Sequence, residues 1–453
     1  MTQYIETAPI WRQLSPGREP NKPLTGSHRS DVVVIGAGIA GLTAAYFVAT
    51  HMPQTTVTVL DAEELGAGTT ARSTGIVTPG MKIPLDRCRR TFGDVRTRAA
   101  FQATLDAVEL LEQLVRTESL DCDLRREPHV RVALTDRHVG IIDSRVRQLR
   151  QLGFDARMLA GADLADLAGD GYLAGQLFGT ALLIDPYRFV VHLAGALTRL
   201  GVRVHEHSRV RSIDIHDDIT TVTTDGGQIQ GQTVLLAMNG YAGPLNPYAS
   251  AVVPVRSHAL ATVPLTPRQR SQLGWQGRGA VIDERHFFNH YRLTHDGRLL
   301  FGGGPISTPA RHNHRNTVAS AHAYDRLQLE LARRFPALSG VPIAARWSAL
   351  EATSFDRLAM VGPIPGRPGI HHSGSWSGHG LAAAVAAGHQ FARHLAGEPV
   401  LDVPWNRSSA LKIPGRSIRQ STLKTYLKIL DRADRVDARR SPSRPPTARR
   451  AGR

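Results

Sequence analysis

The chain has 453 residues, 42% of them hydrophobic, and a formal net charge of +16. That length exceeds one small domain, so two domains or one large interleaved fold is expected. From Lys412 to the C-terminus 13 Lys and Arg stand against 3 Asp, a surplus of 10, so the basicity belongs mostly to a tail and is excluded as a clue to the fold.

Residues 1–30 are a polar, proline-containing lead-in, and MTQYIETAPIWRQL has no apolar core of the signal-peptide kind. The most apolar window, Asp31 to Val48, is broken by three glycines and holds no run of about 20 apolar residues. It is not read as a membrane span, and a soluble cytoplasmic protein is expected. The two cysteines, Cys88 and Cys122, form no CxxC pair and have no histidine partners at zinc spacing. They read as two buried thiols of a reducing compartment, and no metal site is expected.

Asp31 to Ile35 has the composition of a buried parallel strand. Gly36, Gly38 and Gly41 follow it in G-x-G-x-x-G spacing. The first permits a tight turn, the second a close backbone approach to a pyrophosphate, the third close packing of the next helix on the strand. That helix, from Ile39 to Thr50, turns its N-terminal N–H groups and positive dipole end to the phosphates. A second strand, Thr56 to Leu60, ends at Asp61, 20 residues beyond Gly41, where an acid accepts hydrogen bonds from a ribose diol. The acidic run Asp61-Ala62-Glu63-Glu64 would repel a 2′-phosphate, which leaves NAD or FAD. The small, polar stretch GAGTTARSTG at 66–75 argues for FAD, because a longer cofactor must be held along its length.

Further on, residues 96–118 carry apolar residues at helical spacing and 141–152 suggest another helix. In TALLIDPYRFVVHLAGALTRLGVRV, from Thr180, an extended segment leads to a helix opened near Pro186, a turn at Gly201 and a strand. Residues 219–238 suggest a hairpin across Asp225-Gly226-Gly227 and then an apolar strand. Residues 252–304 suggest an antiparallel sheet, 318–335 a helix, and 346–397 a strand–turn–helix return. RRSPSRPPTARRAGR has almost nothing to bury and is expected to be disordered. His312 and His314 in ARHNHR read as a solvated loop.

These motifs together resemble the D-amino-acid-oxidase-type superfamily of FAD-dependent amine and amino-acid oxidases, and within it the gamma-glutamylputrescine oxidoreductase subgroup. GAGIAG with Asp61 is common to the superfamily. LDCD (120–123), NGYAGPLNP (239–247), ATVPL (261–265), YRLTHDGRLLFGGG (291–304), LEATSFDRLAMVGPIPG and GSWSGHGLAAAVAAG are similar to the subgroup. The resemblance implies a mixed α/β fold: a Rossmann-like FAD domain from discontinuous segments (31–95, 180–245, 346–400) and a substrate domain with a mixed or antiparallel sheet (96–179, 246–345). Residues 401–434 would dock on the body and 435–453 would form a disordered basic tail. The implied reaction moves hydride from a carbon bearing nitrogen to flavin N5, with hydrolysis of the imine and reoxidation by oxygen or another acceptor. The implied partners are a small amine or amino acid and that acceptor. A glycine or D-amino-acid oxidase, a dehydrogenase, and a non-catalytic flavin-binding or RNA-associated protein are the alternatives.

Cofactor contacts are expected from Gly36, Ala37, Gly38, Ile39, Ala40, Gly41, Asp61, Ala62, Gly68, Thr69, Thr70, Arg72, Ser73, Gly75, Val210, Gly240, Gly378, His379, Gly380 and Leu381. The N-terminus of the helix after Gly378-His379-Gly380 would stabilise charge on the flavin's N1–C2=O edge. Arg292, Tyr291 and His379 are the candidate catalytic residues, Arg292 for holding a substrate carboxylate, since a guanidinium offers bidentate geometry. His379 is expected near the cofactor, Tyr241 and His290 are further candidates, and no general base is evident. Three departures stand out. Thr70-Ala71-Arg72-Ser73-Thr74-Gly75 lacks an Asn common in the family. No Cys follows Cys122, so FAD is expected to be non-covalent. Leu381 and Ala382 follow SGHG where sarcosine oxidases carry a Lys.

At the C-terminal end Leu423, Tyr426, Leu427 and Leu430 recur at helical spacing among basic residues. Such a helix either lies weakly on an anionic membrane surface or docks on its own protein, and the resemblance implies docking. The Arg-rich tail has no interleaved aromatic residues, so no specific nucleic acid is expected.

Overall fold

The computed structural model describes residues 6–179, 181–275, 278–307, 321–407, 410–413 and 415–440. The pair His312 and His314 and the stretch 441–453 lie outside them. A short helix, α1 (Ile10–Leu14), buries Ile10 and Trp11, so the lead-in contributes to the core. Strand β1 (Gly26–Ile35) starts five residues before the expected Asp31. Gly26 to Ser30 pair in register with Gly227 to Gly231, and most of their side chains stay in solvent, so hydropathy does not mark them.

The chain continues as α2 (Ile39–His51), β2 (Val57–Leu60), β3 (Ile76–Val77) and α3 (Leu85–Thr117). Helix α3 begins earlier than expected and bends at Gly93, whose φ is 76°. Then come β4 (Arg125–Arg126), β5 (His129–Ala133), α4 (Asp136–Gln151), β6 (Arg157–Leu159), α5 (Gly161–Ala168), β7 (Ala174–Phe178) and β8 (Leu182–Leu183). Helix α6 (Pro186–Arg199) opens where proline predicts it. Proline suits the first turn, and the Asp185 side chain accepts from the Tyr187 and Arg188 N–H groups. Strands β9 (Arg203–His205), β10 (Val210–His216), β11 (Ile219–Thr224) and β12 (Gly227–Leu236) follow, with the hairpin between β11 and β12 at the predicted place. The rest is β13 (Val252–Thr262), α7 (Pro267–Ser271), β14 (Ala280–Asp283), β15 (Asn289–Leu293), β16 (Leu299–Ser307), α8 (Ala321–Arg334), β17 (Ile343–Ser354), β18 (Met360–Pro363), β19 (Ile370–Gly374), α9 (Gly380–Leu395) and α10 (Arg416–Arg440).

One sheet runs β10-β11-β12-β1-β2-β9, parallel from β12 through β9. β12 is shared along its length, its start by the β11 hairpin and its end by β19, which returns from far along the chain. A second sheet runs β17-β13-β16-β15-β14-β5-β7-β6 and is antiparallel except for β14 beside β5. β3, β8 and β4 form a small third sheet.

Helices α2, α6 and α9 cover the first sheet. α3 packs with them, and Ala100, Ala107, Val108 and Leu111 sit in the same apolar cluster as Val34, Phe189 and Val385. The boundary expected at residue 96 falls inside this helix. α3 belongs to the core under the parallel sheet because its apolar stripe meets α9, and the second sheet takes over from β5. Gly388 permits the close crossing of α2 and α9, where a Cβ would stand 2.8 Å from Ala44 N and Thr43 Oγ1.

Helix α10 docks on the second sheet. Leu423 packs with Val253 and Val255, Arg326 pairs with Asp431 at 3.0 Å, and Asp434 accepts from the His286 and Phe287 N–H groups. Arg137 reaches Asp437 at 3.1 Å. These contacts carry the helix to Arg440, past the boundary expected at 434. No helix among the described residues is long and apolar enough to cross a membrane.

Candidate active site

A cavity of about 1430 Å³ runs from the glycine turn after β1, between the two large sheets, to the side of α10. Its first part is built from backbone. Gly36, with φ 110°, passes so near the end of β12 that a Cβ would stand 2.8 Å from the Ala237 carbonyl oxygen. Gly38, Ile39 and Ala40 line the cavity at the N-terminus of α2, whose dipole end favours an anion. Ala37 and Gly41 lie behind this surface. The Ala37 N–H donates to Asp61 Oδ2 at 2.8 Å, and Gly41 packs against the Gly36 carbonyl.

Asp61 and Ala62 line the next part, at the end of β2. Burial pushes the Asp61 carboxyl up to about 6, opposed by the N–H groups of Glu63 and Ala37. Val210 lies on the same wall, beside an Arg209–Glu63 ion pair. Bare backbone, a helix N-terminus, an acid at the strand end and a space above the usual range for small-ligand pockets together fit FAD. Asp61→Ala is expected to leave two buried N–H groups unpaired and to weaken FAD retention about tenfold or more. Full flavin occupancy in the dialysed variant would overturn this role.

The loop 66–75 is laid across the second sheet by side chains that bond backbone. Thr69 Oγ1 donates to the Leu350 carbonyl (2.6 Å) and Arg72 Nη1 to that of Ser348 (3.0 Å). The Trp347 indole donates to the Arg72 carbonyl (2.8 Å) and the Trp11 indole to that of Ser73 (2.9 Å). Thr70 Oγ1 accepts from the Ile39 N–H, which joins the loop to α2. Gly68, Thr69, Thr70, Arg72 and Ser73 line the cavity; Gly75 lies just behind. At the other end Gly378, His379, Gly380 and Leu381 line it at the start of α9. Burial pulls the His379 ring down to about 4, so it is neutral near pH 7, with Nε2 3.4 Å from the Pro79 carbonyl. Gly240 packs on the Leu350–Glu351 backbone behind the wall, while Tyr241 and His290 reach the cavity.

Two residues expected at the site, Tyr291 and Arg292, do not line the cavity. Tyr291 points to the opposite face of β15. It donates to the Ala168 carbonyl at 3.0 Å and packs on Trp275 and Phe335, because successive strand residues alternate. Arg292 shares the face of His290 but is fully buried beneath the loop. Its Nη1 donates to the carbonyls of Gly75 (2.9 Å) and Ile184 (3.1 Å).

The structure adds charged groups that the sequence did not single out. Glu351 lines the cavity on β17 between Ala349 and Thr353, and Ser257 Oγ donates to its Oε1 at 2.7 Å. Burial raises its carboxyl, opposed by Ser257 and Lys82. The Lys82 ammonium sits 4.2 Å from the Phe288 ring centroid, and burial draws it down to about 7. Deeper, Arg131 stands 3.6 Å from Glu284, which Arg145 also holds at 2.5 Å. An acid alternating with neutral residues in a strand was the available signal for Glu351. Lys82 lies in an irregular stretch with none.

A family described as FAD dependent oxidoreductase matches residues 31–394. The chain is 27% identical over 386 residues to the gamma-glutamylputrescine oxidoreductase of Escherichia coli (strain K12), covering 84% of this chain and 86% of that protein. It is 26% identical over 425 residues to a probable oxidoreductase OrdL of Haemophilus influenzae, covering 90% and 94%. The fold is similar to that of glycine oxidase from Geobacillus kaustophilus, with a TM-score of 0.70, 18% identity, and coverage of 86% of this chain and all of that one.

Proposed function

The chain belongs to the family of FAD-dependent oxidoreductases, and from that premise we propose that it oxidises the carbon–nitrogen bond of an elongated amine resembling gamma-glutamylputrescine. The observation that carries this reading is the continuity of the cavity. It leads from the dinucleotide cradle past Glu351 and Lys82 to Arg131 and Glu284, and so presents both signs of charge along its length. The relative that acts on gamma-glutamylputrescine supports the substrate class.

Bound FAD supplies a two-electron acceptor for hydride leaving the carbon beside nitrogen. The chain's own residues hold the reactants around that event. The N–H groups at the start of α9 line the cavity and would stabilise negative charge on a flavin held there. Ser257 holds the Glu351 carboxyl group near the start of α9, where Gly378 leaves room for it. His379, neutral near pH 7, adds no positive charge to repel an ammonium. The oxidised C=N product takes up water and splits into a carbonyl compound and an amine.

An anaerobic visible spectrum of the purified holoprotein, titrated with gamma-glutamylputrescine, free polyamines, glycine and D-amino acids in turn, tests the reading. Bleaching of the flavin band by the first two classes is the expected result, and admitting air then reports on oxygen as acceptor. Bleaching by glycine or D-amino acids alone would replace it with an amino-acid oxidase. No bleaching by any amine would overturn it.

A further inference from the structure

Near the start of α9 the sheet presents β13 and β17 side by side, with Val255 opposite Glu351 and Ser257 opposite Ala349. Among the cavity-facing residues of β17 (Trp347, Ala349, Glu351, Thr353) the charged one is Glu351. Its carboxyl group is held by Ser257 and lies close to Gly378. Ser257 Oγ donates to Oε1, and Oε2 lies over Gly378, where a Cβ would come within 2.8 Å of it. A larger residue at 378 would push the carboxylate away, so the glycine leaves it room beside the turn that starts α9. Lys82 acts on Glu351 through its charge, yet its ammonium is perched on the Phe288 ring. Arg292, which would have offered a carboxylate a partner, is turned into the wall.

A free carboxylate arriving here would meet a like charge; an ammonium or an amine N–H would meet a fixed acceptor. We propose that Glu351 binds the substrate nitrogen, and that this contact sets the site's preference for amines over carboxylates beside the cofactor. The proposal rests on the amine-oxidising reading and names the residue that selects the amine.

The test uses two probes of one shape and opposite charge: tert-butylammonium, which has no C–H beside nitrogen and cannot be oxidised, and pivalate. Each is titrated into the FAD-loaded protein and followed by the flavin difference spectrum. The wild type should bind tert-butylammonium at least about tenfold more tightly than pivalate, the scale of one charge-assisted hydrogen bond. Glu351→Gln should lose about that factor at unchanged flavin content, Glu351→Asp should keep the order, and Glu351→Arg should reverse it. Binding by Glu351→Gln within about twofold of wild type, a wild-type preference for pivalate, or no response to either probe overturns the proposal. The outcomes separate it from the wider reading. Amines that bleach the flavin while Glu351→Gln binds as wild type would sink the Glu351 assignment alone. Glu351-dependent binding without bleaching would sink amine oxidation alone.

Discussion

Gly41→Ala should give a protein that retains little or no FAD and is destabilised by about 3 kcal/mol or more, at the upper end of what overpacking costs. A Cβ at position 41 would stand 1.9 Å from the Gly36 carbonyl oxygen and 3.0 Å from Val34 Cγ1. Neither neighbour can retreat. Gly36 holds φ 110° and is itself wedged against the Ala237 carbonyl, while its N–H donates to the Leu60 carbonyl at 2.8 Å. Helix α2 cannot move outward, since its next turn is seated against Gly388 of α9. The added methyl must therefore open the turn that forms the cradle. Gly195→Ala is the matched control: it lies on the exposed side of α6, outside the cavity, a Cβ there meets nothing within 4 Å, and flavin content should stay near wild type. Thermal melts and the flavin-to-protein absorbance ratio after dialysis read both effects. A Gly41→Ala protein that keeps its flavin and its melting temperature would show that the cradle does not depend on this approach.

The cradle was legible because its requirements are local. Three glycines at fixed offsets, an apolar strand before them and an acid at the end of the next strand are all set within about one βαβ unit. The same holds for α6, whose Asp185-Pro186 start is a short-range signal, and for the hairpin at residues 225–227. The substrate side was less legible because its geometry depends on pairing across hundreds of residues. Glu351 faces the cavity only because β17 lies against β13 in one register. A shift of one residue would turn it and Ala349 away. Alternation predicts that Tyr291 and Arg292 face opposite sides, but not which side is open. Nor does it say that Arg292, on the face of His290, is roofed by a loop more than 200 positions earlier. The length of α10 is set by acids meeting His286, Phe287 and Arg137, partners that the helix's own sequence does not contain.

That roofing gives Arg292 a different expected phenotype from the one its residue type suggests. Arg292→Ala should lower stability by about 3–5 kcal/mol, the range for truncating a large, fully buried side chain. The guanidinium is fully buried and lies 5.1 Å from the Trp11 ring centroid. Burial draws it down to about 9, so it stays charged at pH 7, with Asp123 and Asp185 offsetting the cost. Its Nη1 joins the Gly75 and Ile184 carbonyls, and Trp11 in turn holds the Ser73 carbonyl. The side chain thus ties the flavin loop, the lead-in helix and the second sheet at one point. Losing it should loosen the loop, so FAD retention falls together with the melting temperature. Arg292→Lys should recover only part of either, because an ammonium cannot reproduce the planar fork. The substrate KM of whatever variant remains flavin-loaded should stay near wild type, since the removed group lies behind the cavity wall. A variant with normal melting and flavin content but a raised KM for carboxylate-bearing substrates would place Arg292 in contact with substrate, and would mean that the loop above it opens in the working enzyme.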